Sequence, residues 1–231
     1  MGRALRIVSV ALITAGLVVL ADVAATLAWK EPVSTVYGSI QQGKAEDELA
    51  ELKGRFPARA DLRQVERVEG IGRKVEVLAD LFAQRAQPGE AIGRLRISSI
   101  DLDVVVVEGT DTASLQKGPG HYPETPFPGQ GGTVAIAGHR TTYLAPFRHL
   151  DQLKRGDEIE IEMPYANFAY RVQKTRIVDD SAVDIIHDVG YERLVLTACH
   201  PLYSAAQRIA AFARLRKVSF FALSARRWND P

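Results

Sequence analysis

Beyond Gly89 the chain falls into short β-branched and aliphatic runs separated by glycine, proline and acidic punctuation. Residues 92–97, 102–108, 133–137, 158–163, 169–178, 193–197 and 208–215 read as strands, and only one short helix, over residues 143–153, interrupts them. Runs of this length with turn signals between them predict an all-β barrel or sandwich, because a strand buries one face and must find a partner sheet for it. The segment between the first two strands and the third is loop-rich: Gly118, Pro119, Gly120, His121 and Pro123 are followed by Pro126, Pro128 and the turn 129–132.

Upstream the pattern changes. Arg3 and Arg6 precede an apolar run over residues 7–29 that carries one charge, Asp22, and ends at Lys30 and Glu31. A bilayer needs roughly 20 apolar residues, so the run is long enough to span. The basic residues on its N-terminal side place the N-terminus in the cytoplasm and the remainder outside. The rival reading is a signal peptide cut near Val23-Ala24-Ala25. The uncleaved anchor is preferred, because the apolar run continues past that site to Trp29, an interface-type residue. No second apolar span is expected, and the domain is expected to end near Ala225.

Residues 31–89 are helix-rich. Residues 45–56 are helix formers that stop before Pro57. Asp61 is a candidate cap for a second helix. In that helix Leu62, Val65, Val68, Ile71, Val75, Leu78, Leu81 and Phe82 recur every three or four residues, and Gly70 and Gly72 weaken its middle. This segment reads as a helical stalk that lifts the domain off the membrane; a helix docked on the domain is the sharper alternative. The divisions are therefore 1–30, a cytoplasmic N-terminus and anchor; 31–89, a helical linker; and 90–231, the functional domain.

With a net charge of +1, nothing favours bulk binding to nucleic acid. The single cysteine, Cys199, cannot form an internal disulfide, so in an exported chain it is an intermolecular partner, a working thiol or a buried inert one. Its position favours work. Residues 193–197 read as a strand and Pro201 ends it, so the thiol sits where a rigid element opens into a loop. A thiol nucleophile needs a base or cation nearby. Among five histidines, His200 points to the opposite face from its neighbour Cys199, His149 and His187 lack special context, and His121 sits in a loop. His139 emerges directly from the strand 133–137 and is the best candidate partner. Arg208 opens the strand after a short loop that folds back beside Cys199, where its donors are placed to grip a carbonyl oxygen; Arg214, on the same face, is the spare candidate. Metal-ligand spacing and a phosphate-binding glycine loop are both missing from the sequence.

These residues, in Thr133-Val-Ala-Ile-Ala-Gly-His139-Arg, Leu196-Thr-Ala-Cys199 and Arg208 with an apolar strand behind it, resemble those of the sortases, membrane-anchored cysteine transpeptidases of the Gram-positive cell surface. The Gly120-His121-Tyr122-Pro123 segment and the short loop from Cys199 to Arg208 look most like class E, the housekeeping-type enzymes of actinobacteria. The resemblance spans roughly residues 91–215. It implies an eight-stranded β-barrel with short helices, with Cys199 as nucleophile, His139 as general acid and base, and Arg208 holding substrate and oxyanion.

It also implies an activity: cleavage of a C-terminal sorting signal of the Leu-Pro-x-Thr-Gly or Leu-Ala-x-Thr-Gly kind between Thr and Gly, and transfer of the thioacyl group to an amine of a cell-wall precursor. The implied partners are secreted proteins bearing that signal, the peptidoglycan precursor and the plasma membrane. No cofactor is implied; calcium is not indicated, although Asp179, Asp180 and Asp184 are acidic loop candidates. Four residues are expected against the substrate: His121, Tyr143, Ala198 and Tyr203. Tyr143 and Tyr203 each follow a catalytic candidate closely in sequence. Ala198 stands where the family usually carries threonine beside the nucleophile, which predicts a weakened or re-specified enzyme. The alternatives are a pilin-polymerising sortase, an inactive surface-anchored module that binds the sorting signal, and a cysteine hydrolase that passes its acyl group to water.

Overall fold

A computed structural model describes residues 2–29 and 32–220. Eight strands close a barrel in the order β1-β2-β3-β4-β7-β8-β6-β5, with β5 returning to β1. They are β1 Ala91–Ile97, β2 Leu102–Glu108, β3 Gly120–His121, β4 Thr133–Ala137, β5 Glu158–Glu162, β6 Ala166–Asp179, β7 Arg193–His200 and β8 Gln207–Phe220. Closure leaves no open sheet edge. Two pairings, β2–β3 and β4–β7, are parallel; the others are antiparallel. The alternation of side chains along each strand sets the interior: Val134 and Ile136 of β4, Leu194 and Leu196 of β7, and Ile209 and Ala211 of β8 belong to one buried core. The alternate residues Ala135, Val195, Ala210 and Phe212 form a second buried cluster on the outer face of the same strands, covered by Tyr122, Ile185 and Ile186.

Most strands fall on the apolar runs read from the sequence, but β6 and β8 are each 14 residues long and pair over nearly their whole length. The expected helix over 143–153 is reduced to a 3₁₀ turn at Leu150–Gln152. Tyr143, Leu144 and Ala145 instead have φ of 48°, 65° and 45°, a left-handed run that helical geometry excludes.

The helices before the barrel are α1 Gly2–Trp29, α2 Pro32–Arg55, α3 Arg59–Glu66 and α4 Ile71–Ala83. Within α1, residues 2–24 are long and apolar enough to cross a membrane, with a mean hydropathy of 2.4. The single helix expected over residues 62–82 is broken where Gly70 takes φ 81°, so α3 and α4 fold as a pair. Asp61 does not cap α3 from outside; it lies in the first turn and accepts from the Ala58 amide at 2.8 Å. Its carboxylate also takes two hydrogen bonds from Arg85, at 2.6 and 2.7 Å, which hold it below the usual range and tie the end of α4 back to α3.

The linker is not a free stalk. Phe56, Val65, Val75, Leu78 and Phe82 join the barrel's own core. The Gln42 side chain donates to the Val105 and Lys117 carbonyls at 3.1 and 2.7 Å and accepts from the Val105 amide at 2.8 Å, so α2 is stitched along β2. An apolar stripe at helical spacing has to be buried somewhere, and here the barrel supplies the partner face. The expected end of the apolar run at Lys30 and Glu31, and of the domain near Ala225, lie outside the described residues.

Candidate active site

The register across β4, β7 and β8 builds the site. Cys199 on β7 lies directly opposite Arg208 on β8. By alternation with the inward Ala198 and Ile209, both project from the outer face, where opposed Cβ atoms stand about 5 Å apart. On the other flank β4 runs parallel to β7, with Ala137 level with Thr197 and the Gly138 amide donating to the Thr197 carbonyl at 3.0 Å. Two residues beyond Ala137, His139 comes level with Cys199. Cysteine and arginine thus sit opposite each other on adjacent strands, and histidine continues the row just past the end of β4. The cysteine belongs to β7 itself, which runs on to His200, so the thiol is held more rigidly than a loop position would hold it.

Gly138 is required at its place. A Cβ there would meet the Phe147 ring at 2.5–2.8 Å, and Phe147 in turn donates its amide to the His139 carbonyl at 3.0 Å. Burial lowers the His139 pKa below the ordinary imidazole value. At neutral pH the ring is therefore neutral and competent to accept a proton. Tyr143 covers it, with ring centroids 5.1 Å apart, and Tyr37 of α2 stacks edge-on against Tyr143 at 6.1 Å. Gly38 packs closely on the same loop: a Cβ there would stand 3.1 Å from Leu144 and from the Tyr143 backbone. The first turns of α2 therefore reach the loop that carries the imidazole's cover.

This arrangement has a pH consequence. Tyr143→Ala opens His139 to water and relieves its desolvation, so the imidazole pKa rises toward its ordinary value. The acid limb of the kcat/KM profile is expected to move to higher pH in the variant, as read by rate measurements from about pH 5 to 9; an unmoved limb contradicts the assignment of that limb to His139.

Arg208 donates through Nη1 to the carbonyls of Ala205 and Gln207, at 2.8 and 3.0 Å, which anchors it to the loop between β7 and β8. Among the described residues its Nε and Nη2 have no hydrogen-bond partner, leaving donors for an incoming oxygen. Arg214 is not a spare. It pairs with Arg193 at the far end of β7 and stacks over Tyr191 at 4.4 Å. Tyr203 stands 70% exposed on the loop after Cys199, with φ 65°.

Two expected substrate contacts are corrected. His121 is 1% exposed; its Nδ1 lies 2.9 Å from Glu108, its Nε2 lies 3.2 Å from both the Pro126 carbonyl and the Thr125 hydroxyl, and its ring stacks on Phe127. With both nitrogens engaged it fastens β3 to the following loop and presents nothing to a peptide. Tyr122, its neighbour, takes the outward position and meets the Thr197 hydroxyl at 2.9 Å. Ala198 is 4% exposed and faces the barrel core, on the opposite side of β7 from the thiol. Threonine at this position would push a hydroxyl and a methyl into packed apolar space. Ala198→Thr is expected to lower stability by about 1–3 kcal/mol and to leave peptide preference unchanged, as read by thermal melting and competition between peptides.

The sequence pattern does not single out Arg140, yet it is buried immediately behind the row. An arginine after a catalytic candidate looks like surface in sequence, and only the fold reveals its burial. The acidic candidates Asp179, Asp180 and Asp184 are exposed, and no group of three His, Cys, Asp or Glu that could hold a metal occurs among the described residues.

A half-buried thiol on a strand end, an arginine opposite it and a neutral imidazole just past the neighbouring strand are the residue types that cysteine acyl transfer uses. The Sortase domain family model matches residues 95–216, and the chain belongs to the sortase family. Over 120 residues it is 38% identical to sortase D of Bacillus subtilis, covering 51% of this chain and 58% of the relative. Over 145 residues it is 28% identical to sortase SrtE1 of Streptomyces coelicolor, covering 56% of this chain and 41% of the relative. The chain thus spans about half the length of these curated relatives. The structure of a sortase D5 transpeptidase from Clostridium perfringens superposes with a TM-score of 0.61 at 23% identity, over 77% of this chain and 99% of that one; it shares the fold. The resemblance to class E accordingly stands beside an equally plain likeness to a D-type relative.

Proposed function

We propose that this chain is a membrane-anchored cysteine transpeptidase acting on C-terminal sorting signals of secreted proteins. The observation that carries the reading is the His139–Cys199–Arg208 row. The Cys199 sulfur attacks the threonine carbonyl carbon of a Leu-Pro-x-Thr-Gly or Leu-Ala-x-Thr-Gly signal, and an S–C bond forms. The thiol proton passes to His139 as the sulfur attacks, and the C–N bond to glycine then breaks as His139 delivers that proton to the departing amine, leaving a thioester and a neutral imidazole. An incoming amine from a cell-wall precursor then attacks that carbonyl and gives its proton to His139; the C–S bond breaks, and the departing Cys199 thiolate takes the proton back from His139, restoring the starting state. Arg208 donates through its unengaged nitrogens to the oxygen that carries charge in both tetrahedral states.

A substrate would reach the thiol at the end of β7, beside the exposed Tyr203, because the outer face further back is covered: Val195 and Thr197 are buried beneath Tyr122, Ile185 and Ile186. The apolar helix α1, the one of membrane-spanning length among the described residues, fits an anchor with its N-terminus inside, because Arg3 and Arg6 lie on that side. Wall anchoring is preferred to pilin polymerisation, since no Asp-Pro-aromatic segment precedes the barrel.

The test is to incubate the full chain in detergent micelles with either peptide and an amine such as triglycine. Ligated peptide as the main product supports transpeptidation. Free acid regardless of amine supply indicates a hydrolase, and bound but uncut peptide a binding module.

A further inference from the structure

Behind the row of three lies a buried guanidinium with no part in the bond-making steps. Arg140, 4% exposed, follows His139 directly. Its Nη2 pairs with the Asp151 carboxylate at 3.0 Å and its Nε donates to the Arg148 carbonyl at 3.3 Å. Both partners lie in the loop that begins at His139. Its Nη1 points the other way, donating to His200 Nδ1 at 2.9 Å and to the Cys199 carbonyl at 3.5 Å. One planar fork thus spans the loop that carries the imidazole and the strand end that carries the thiol.

Burying a guanidinium is costly unless its donors are engaged, and removing one partner leaves the rest unpaired. A surface ion pair would not demand this. The distribution of partners is also informative: two on the histidine's segment, two on the cysteine's strand. Arginine is suited to this because its donors sit in a rigid fork, whereas lysine offers a flexible point charge. The contact with His200 Nδ1 requires that nitrogen to accept, which places the His200 proton on Nε2.

The geometry points to Arg140 as a positioning residue that clamps the His139 loop to the Cys199 strand, so that imidazole and thiol stay in register through the two acyl-transfer steps. The clamp rests on the transpeptidase reading for its kinetic consequence, but its effect on the thiol is measurable without a peptide. Cys199 is the only thiol in the chain, so its alkylation by iodoacetamide reports the pair directly.

The full chain in detergent micelles is compared with Arg140→Gln and Arg140→Lys, each corrected for the folded fraction by circular dichroism. Loss of register is expected to lower kcat about 100-fold in Arg140→Gln, with KM within about threefold of the parent. Alkylation of Cys199 at about pH 7.5 is expected to slow about tenfold. Arg140→Lys, which keeps the charge and loses the fork, is expected to fall between the two. Per-folded-molecule rates equal to the parent in Arg140→Gln, a change in KM alone, or full activity in Arg140→Lys would each overturn the proposal, the last by assigning the effect to charge. If Arg140→Gln does not fold, Arg140→Lys decides by the same criteria. A parent chain that transfers neither peptide counts against the transpeptidase reading only, and the alkylation rates still decide the role of Arg140.

Discussion

His139→Ala is expected to lower kcat/KM for peptide transfer by about a thousandfold, the loss typical of a positioned general acid and base. Each half-reaction passes a proton through this ring: from the thiol to the glycine amine as it leaves, and from the incoming amine back to the thiolate. Without it the leaving amine departs as a poor, unprotonated anion, so acylation becomes limiting. The fold should survive, because His139 lies beyond the end of β4 and only half-buried. The measurement is steady-state kinetics beside a thermal melt. A loss of about tenfold or less, in a folded protein, would move the acid–base role elsewhere; His200 is poorly placed for it, since its Nδ1 is held by Arg140.

Gly120→Ala is expected to be the most damaging small substitution in the barrel, costing about 3 kcal/mol or more. β3 is only two residues long, yet it joins β2 to β4: Val107 pairs with Gly120, and Gly120 with Ala137. A Cβ at Gly120 would drive into the backbone carbonyl oxygen of Gly109, and neither strand can yield without breaking a ladder. The Gly109 amide is itself engaged, donating to the His121 carbonyl at 3.0 Å. In a barrel one lost rung opens the ring rather than fraying an edge. A fall in Tm of about 10 °C is expected from thermal melting. A shift under about 2 °C would mean that β3 adjusts freely and that barrel closure does not depend on it.

Much of the barrel is legible in the amino-acid sequence. The apolar, β-branched runs 92–97, 102–108 and 193–197 carry over almost unchanged into β1, β2 and β7, because a strand buried on both faces, as β7 is, reads as a continuous apolar run. The partnership of Cys199 with Arg208 follows from a loop too short to do anything but fold back. The features that the sequence conceals depend on tertiary contact. β3 has neither length nor hydrophobic pattern; Gly120 and His121 become a strand only because β2 and β4 flank them. His121 reads as available because glycine and proline surround it, and its burial comes from Glu108 and Phe127, which are remote in pattern though close in space. Ala198 reads as a substrate contact because it adjoins Cys199, whereas the period of two sends it to the opposite face. Arg140 carries no periodic signal at all, since its hydrogen-bonding partners lie 8 to 60 residues away and only the pairing of β4 with β7 gathers them.

The most direct test of the central claim, that Cys199 on the outer face of β7 takes up a sorting signal covalently, is the intact mass of the full chain after brief incubation with Leu-Pro-x-Thr-Gly or Leu-Ala-x-Thr-Gly peptide and no added amine. The account predicts a mass gain equal to the peptide truncated after threonine less one water, as a thioester requires, discharged by hydroxylamine and absent in Cys199→Ala. A folded chain that shows no adduct with either peptide, or an adduct that persists in Cys199→Ala, would contradict it.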